Sequence, residues 1–198
     1  MIYLIRHGQT ALNHANALQG RSDLPLNENG ERQAKEAGEA LQRMGVVFDA
    51  VYSSPLIRAQ QTARLIAGDA PMRIDERLIE MDYGPYEGLD LTHLPPEILA
   101  FFGDFAHVPA PDGMEQLSSV VARLGLFLED IRTNAQERNI LISTHAIAMK
   151  GALEYLTPAS QGSYWSKYIG NCAVYTAALI DGVYTVPIEL KLPDEAAL

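Results

Sequence analysis

Cysteine is nearly absent. Cys172 is the single one in 198 residues, which excludes an internal disulfide and any cysteine-built metal site. It lies in an apolar run and reads as a small core residue rather than a catalytic thiol. Positive charge is also scarce, with 15 Lys and Arg against 25 Asp and Glu for a formal net charge of −10. That balance argues against nucleic acid and anionic membranes as partners. Residues 89 to 122 contain no Lys or Arg at all. No apolar run reaches membrane-spanning length, and no basic segment followed by an apolar core opens the chain, so a cytoplasmic protein is the default expectation. The five histidines lack the i, i+4 or short spacing of a ligand set, and no carboxylate cluster accompanies them. No metal site and no cofactor are expected. Internal repeats and low-complexity tracts are missing too.

What is present suits a globular domain with a sizeable core, since 47% of residues are hydrophobic and 20% charged. One domain over 1–198 is expected, with an insertion at about 80–112. A strand is expected at about 2–6, then a short helix or loop from Thr10 to Ala17 and an irregular loop over 19–25. An amphipathic helix follows Asn27 and runs to about Met44, with Ala34, Ala37, Gly38 and Ala40 available for close packing. Phe48 to Ser53 reads as a second strand, and Pro55 suits the first turn of a helix to about Ala67. A short edge strand is expected at Met72–Asp75, and a helical flap at Leu94–Phe105 near two prolines. Further on come a helix at Glu115–Gln136, a strand at Asn139–Thr144 and a helix at Ile147–Leu156. A hairpin is expected across Asp181-Gly182, then a frayed end. Strands alternating with helices argue for a mostly parallel sheet covered on both faces.

Three strand patterns end in reactive residues: Arg6-His7-Gly8, then Ser53-Ser54-Pro55-Leu56-Ile57-Arg58, then Ser143-Thr144-His145-Ala146. Parallel strands of one sheet would place these ends on one edge, where ligands bind in open α/β folds. Two guanidiniums suit a tetrahedral oxyanion because each offers paired donors. An imidazole is a competent nucleophile when one nitrogen is unprotonated and the other is held as a donor. A leaving oxygen would still need a proton, and Glu80, in the loop region, is the candidate general acid.

At this point the chain resembles the histidine phosphatase superfamily, in the branch that includes cofactor-dependent phosphoglycerate mutases and bacterial relatives such as α-ribazole phosphatase. The resemblance rests on blocks in order: Leu4-Ile5-Arg6-His7-Gly8-Gln9-Thr10-Ala11-Leu12-Asn13; Gln19-Gly20-Arg21-Ser22-Asp23-Leu24-Pro25-Leu26 with Gly30 following; Tyr52-Ser53-Ser54-Pro55-Leu56-Ile57-Arg58-Ala59-Gln60-Gln61-Thr62-Ala63; Leu78-Ile79-Glu80-Met81-Asp82-Tyr83-Gly84-Pro85-Tyr86-Glu87-Gly88; Asp112-Gly113-Met114-Glu115, similar to a variant of the family's Gly-Glu element; and Ser143-Thr144-His145. It implies a three-layer αβα sandwich with a mostly parallel central sheet and an insertion over the active-site edge. It also implies that His7 is the residue phosphorylated in turnover, that Arg6, Arg58 and His145 complete the phosphate pocket, and that Glu80 donates the proton. Thr10 and Asn13 match phosphate-binding positions. Gln19, Gly20 and Ala146 fall in substrate-contacting blocks.

Departures from the family pattern sharpen the expectation. Ala146 stands where the family has Gly. Leu91 and Ile147 stand where a mutase has Lys and Asn, and the mutase's paired arginines have no counterpart. A phosphomonoesterase acting on a small phosphorylated metabolite is therefore expected ahead of a phosphoglycerate mutase. A non-catalytic phospho-ligand module is the third reading. The Leu94–Phe105 flap suggests a less polar leaving group, although Phe101, Phe102 and Phe105 read first as core. Arg21 is either exposed loop or a cation at the substrate rim, and His14, His93 and His107 are surface or lining residues. The oligomeric state, a homodimer among the options, is left open.

Overall fold

The computed structural model describes residues 1–136 and 138–193. The expected frayed end falls largely on 194–198, outside the described residues. β1 (Ile2–Arg6) alternates its side chains between two cores: Ile2 and Leu4 join one, Tyr3 and Ile5 the other. A strand buried on both faces belongs in the middle of a covered sheet. Its neighbours confirm this. In the order β3 (Met72–Ile74), β2 (Ala50–Ser53), β4 (Ile140–Thr144), β1, β5 (Val174–Ala177), β8 (Ile188–Leu190), the first four strands run parallel. β5 and β8 join in antiparallel pairings.

Helices cover both faces, giving the expected αβα layering. α2 (Glu28–Arg43) packs on α3 (Ile57–Ala67) over one core, and α5 (Leu117–Ala135) packs on α6 (Ala146–Leu156) over the other. Asn27 caps α2 by accepting from the Gly30 N–H at 2.8 Å. The small residues of α2 serve close approach: a Cβ on Gly38 would lie 3.0 Å from Ile66 Cα. A four-residue helix α1 (Ala11–His14) opens on a Thr10–Asn13 capping box. The expected flap is a real helix, α4 (Pro96–Gly103). No described helix is long and apolar enough to cross a membrane.

The ends of some elements differ from expectation for visible reasons. α5 begins at Leu117, not Glu115, because Gln116 is extended as its N-cap and the Glu115 N–H is taken by the Asp82 carbonyl at 2.8 Å. The hairpin forms on Asp181 and Gly182, both with positive φ (51° and 76°), as a two-residue turn between β6 (Leu179–Ile180) and β7 (Val183–Tyr184). It then slips. Leu179 faces Tyr184 but Thr176 faces Ile188, so one extra residue sits on the second arm around Val186 and Pro187. Beyond the slip, the arms enter the main sheet as β5 and β8.

The register carries the functional consequence. Arg6 lies opposite Thr144, and Ser53 opposite Ser143. Three carboxyl ends of parallel strands therefore finish level on one edge.

Candidate active site

His7 leaves β1 buried, 3% exposed, and its two ring nitrogens have distinct partners. Nδ1 lies 2.7 Å from the Gly8 carbonyl oxygen, which can only accept, so Nδ1 carries the proton. Nε2 keeps its lone pair and accepts from Arg58 Nε at 3.2 Å. Burial first, then the Arg58 and Arg6 charges, hold the imidazole well below its ordinary range, so it is neutral at neutral pH. Around it, the Gly8 N–H donates to Thr62 Oγ1 at 3.0 Å, and Asn171 Nδ2 donates to the His7 carbonyl at 3.0 Å. The backbone of the loop is thus fixed on both sides of the ring.

Arg58 comes from the first turn of α3 and is completely buried. Its Nη1 donates to Ser22 O at 2.7 Å and its Nη2 to Gly20 O at 2.6 Å. Burial pulls this guanidinium down to about 10, opposed by the Glu80 charge. It remains a cation at neutral pH. Arg6 donates through Nη1 to the Ile169 carbonyl at 2.6 Å, and burial lowers it too. Gly20, expected as a substrate contact, thus serves the site through its backbone by holding Arg58.

His145 ends the third strand as the N-cap of α6 and is fully buried. Its ring centroid lies 5.1 Å from that of His7. Its Nε2 is 2.7 Å from Ser54 Oγ. Ser54 Oγ also accepts from Leu56 N–H; assigning its own proton to Nε2 puts the His145 N–H on Nδ1. Burial and then Arg58 push this imidazole well below its ordinary range as well. Three buried donor atoms here have no partner among the described residues: Arg6 Nε, Gln19 Nε2 and His145 Nδ1. Buried donors left unmade are costly, and in native proteins they mark a ligand or a strained site.

Glu80 is buried, 3% exposed, and sits at the N-terminus of α6. Its Oε1 accepts from Met81 N and Ala148 N, both at 2.9 Å, and its Oε2 from Ile147 N at 3.2 Å. A carboxylate at a helix N-terminus gains from the orphan N–H groups and the dipole there. Its charge also acts on Arg6 and Arg58, which puts it in the same pocket.

The remaining expected contacts split. Thr10 and Gln19 are buried and joined, Thr10 Oγ1 donating to Gln19 Oε1 at 2.6 Å. Asn13 Oδ1 accepts from Thr10 N and Asn171 Nδ2. Ala146 is half-buried at the first position of α6. Arg21 turns instead to Asp82 at 3.0 Å and Glu115 at 3.4 Å. His14, His93 and His107 are exposed, the last two beside Asp90 and Asp104. Phe101 is core, while Phe102 and Phe105 are half-buried against it.

Sequence reasoning missed Ser54, Thr62, Asn171, Tyr83 and Lys150. Ser54 lay in plain sight at a strand end, and Tyr83 three residues after Glu80. Tyr83 is buried, and burial with the Glu80 charge pushes its phenol well up. Thr62 stood inside the third matched block without a role, and Asn171 carried no local signal.

Level strand ends, one buried and one half-buried guanidinium, unmade donors and a neutral imidazole with an unprotonated Nε2 come together in this α/β protein, an arrangement suited to a tetrahedral oxyanion. Residues 2–186 match the family described as "Histidine phosphatase superfamily (branch 1)", and the chain belongs to that superfamily. It is 32% identical to a 2,3-bisphosphoglycerate-dependent phosphoglycerate mutase from Parvibaculum lavamentivorans over 208 aligned positions, covering 99% of this chain and 98% of the other. It is 29% identical to phosphoserine phosphatase 1 of Hydrogenobacter thermophilus, over 83% of this chain and 80% of that one. Among solved structures it superposes with a TM-score of 0.81 and 27% identity on a mutant phosphoserine phosphatase from Entamoeba histolytica in complex with phosphoserine, covering 96% of this chain and 94% of the other.

Proposed function

We propose that this protein is a metal-independent phosphomonoester hydrolase that works through a phosphohistidine on His7 and acts on a small phosphorylated metabolite. The observation that carries the reading is the fixed tautomer of His7, with Nδ1–H on the Gly8 carbonyl and Nε2 unprotonated beside Arg58. Nε2 attacks phosphorus in line, and the bond to the leaving oxygen breaks as the N–P bond forms. Arg6, Arg58 and His145 hold the equatorial oxygens as charge develops. The unmade donors Arg6 Nε, His145 Nδ1 and Gln19 Nε2 are suited to those oxygens.

Glu80, in its protonated form, gives the leaving alkoxide its proton. Oε1 takes two of the three backbone N–H bonds and Oε2 one, so Oε2 is the oxygen with more room to pass a proton. Water then attacks the phosphohistidine, Glu80 takes the water's proton, and inorganic phosphate leaves.

A chromogenic phosphate ester tests the reading. The expected result is phosphate release that survives a chelator and disappears in His7→Ala. No release from a broad panel of phosphoesters would refute it. The second reading is a phosphoglycerate mutase, supported by relatives such as the one from Parvibaculum lavamentivorans. A mutase activity that depends on bisphosphoglycerate and exceeds hydrolysis would place that reading first.

A further inference from the structure

Lys150 is a buried cation that the reaction above does not use. It is 9% exposed and lies on α6 one turn beyond the half-buried Ala146, on the same face. Side chains on a helix lean toward its N-terminus, and that end of α6 holds His145 and Glu80. The charges acting on Lys150 are those of Glu80 and Arg6, both in the phosphate pocket. Its Nζ donates to the Trp165 carbonyl at 2.7 Å and lies 5.3 Å from the Phe105 ring centroid. The Phe105 and Trp165 rings are themselves 6.2 Å apart. An ammonium has three donors, and Trp165 O is the hydrogen-bond partner found for this one among the described residues.

Two separate segments converge on this ammonium. Phe105 follows α4, the flap helix of the insertion. Trp165 belongs to the segment whose Ile169 carbonyl holds Arg6. The strap from 165 to 169 therefore ties Lys150 to the phosphate-binding guanidinium. Burying a lysine without a carboxylate in hydrogen-bond contact is costly, and such a group beside a reactive pocket is a candidate for function.

We propose that Lys150, walled by Phe105 and Trp165, reads the leaving group, and that it selects phosphomonoesters whose alcohol half carries a carboxylate. This rests on the hydrolase reading for turnover, though not for binding. Charge fixes the class. Arg6 and Arg58 match the two charges of a phosphate monoester, which leaves Lys150 for one more negative charge. A carboxylate supplies one. A second phosphoryl group would bring about two more against a single ammonium. The aromatic walls suit a short carbon stem. The Leu94–Phe105 flap pointed to a less polar leaving group, and 89–122 holds no Lys or Arg; the cation arrives instead from α6.

Phosphoglycolate and ethyl phosphate are a matched pair that differ by the carboxylate. Both are to be measured with the wild-type protein and with Lys150→Met and Lys150→Arg, by calorimetric binding and by kcat/KM. The wild type is expected to favour phosphoglycolate by about tenfold or more, the size of one charge-assisted hydrogen bond. In Lys150→Met that ratio is expected to fall to about one, and Lys150→Arg is expected to restore part of it. If the wild type binds and turns over both esters equally, the carboxylate subsite is refuted while the hydrolase reading stands. If it prefers phosphoglycolate in binding yet hydrolyses neither, the hydrolase reading falls and the subsite stands. A loss of affinity for both esters alike in Lys150→Met and Lys150→Arg would make Lys150 an anchor of the strap and overturn the proposal. The wild-type ratio needs no variant, so a misfolded substitution leaves that arm intact.

Discussion

In the proposed reaction His7 attacks through Nε2, and the groups around the ring keep that nitrogen unprotonated, with Arg58 Nε donating to it at 3.2 Å until phosphate arrives. The Gly8 carbonyl takes the Nδ1 proton, Thr62 and Asn171 pin the adjacent backbone, and two guanidiniums oppose protonation. His7→Ala is expected to lower kcat by on the order of 10³-fold or more. Ser54→Ala removes two hydrogen bonds, to His145 Nε2 and from the Leu56 N–H, and kcat/KM is expected to fall by about tenfold, checked by steady-state kinetics with folding monitored by circular dichroism. The triplet Arg6-His7-Gly8 was readable as a strand end carrying chemistry, and so were Arg58 and His145. Thr62, though inside a matched block, had no readable role, and Asn171 had none either. Each acts on backbone atoms of a distant segment, and such a contact leaves no local pattern in the chain.

Among the elements, α6 has the most to do. Its N-cap is His145, its first N–H groups hold Glu80, and its next turn presents Lys150. Glu80→Gln keeps the shape but removes the charge at the helix N-terminus. It is expected to cost about 0.5–2 kcal/mol of stability and also to slow turnover. A variant that loses activity at full stability, in urea denaturation with parallel kinetics, would assign Glu80 to chemistry alone. The close contact between the β1 loop and the start of α2 is a second element-level device. A Cβ on Gly30 would fall 2.0 Å from the Gln9 carbonyl oxygen. Gly30→Ala is expected to destabilise the fold by about 1–3 kcal/mol, read as a drop in the denaturation midpoint. Strand and helix order was legible because Ile2–Ile5, Val51–Ser53 and Ile140–Thr144 announce buried strands, each followed by a helix. The hairpin's slip at Val186 and Pro187 was not, because the turn residues Asp181-Gly182 fix pairing only near the turn.

At the scale of the whole molecule, two neutral imidazoles are buried beside fixed cations. In the unfolded chain each takes up a proton near 6.5, whereas in the fold each does so only well below that. The unfolded state therefore binds more protons as pH falls. Stability is full above about 6.5 and declines below it, by up to about 1.4 kcal/mol per pH unit for each ring. Thermal midpoints between pH 7.5 and 5 should show this, and His145→Gln should flatten the slope. A midpoint constant over that range would contradict it. The Asp75 carboxylate, held low by Arg77, adds its own loss only at lower pH. Lys150, which burial pulls down to about 8, sets a second pH signature. Preference for phosphoglycolate is expected to hold below about 8 and fade above it, as the ammonium loses its proton. The charged groups facing it are Glu80 and Arg6; Phe105 and Trp165 bring no charge.

The scarcity of positive charge, read at first as a limit on substrate charge, takes on another meaning in three dimensions. Arg6, Arg58 and Lys150 come from β1, α3 and α6, far apart in sequence, and the fold gathers them around one carboxylate. Composition and the 89–122 stretch showed where the cations are missing, while only the packing of α6 against the flap and strap showed where they collect. The claim on which the rest depends is that phosphorus is transferred to His7. Rapid quenching during turnover of a chromogenic phosphate ester, followed by peptide mass mapping, tests it directly. The account requires a phosphoryl group on the imidazole of His7 that decays as inorganic phosphate appears. Phosphate release with His7 unmodified throughout, and with His7→Ala still active, would contradict it.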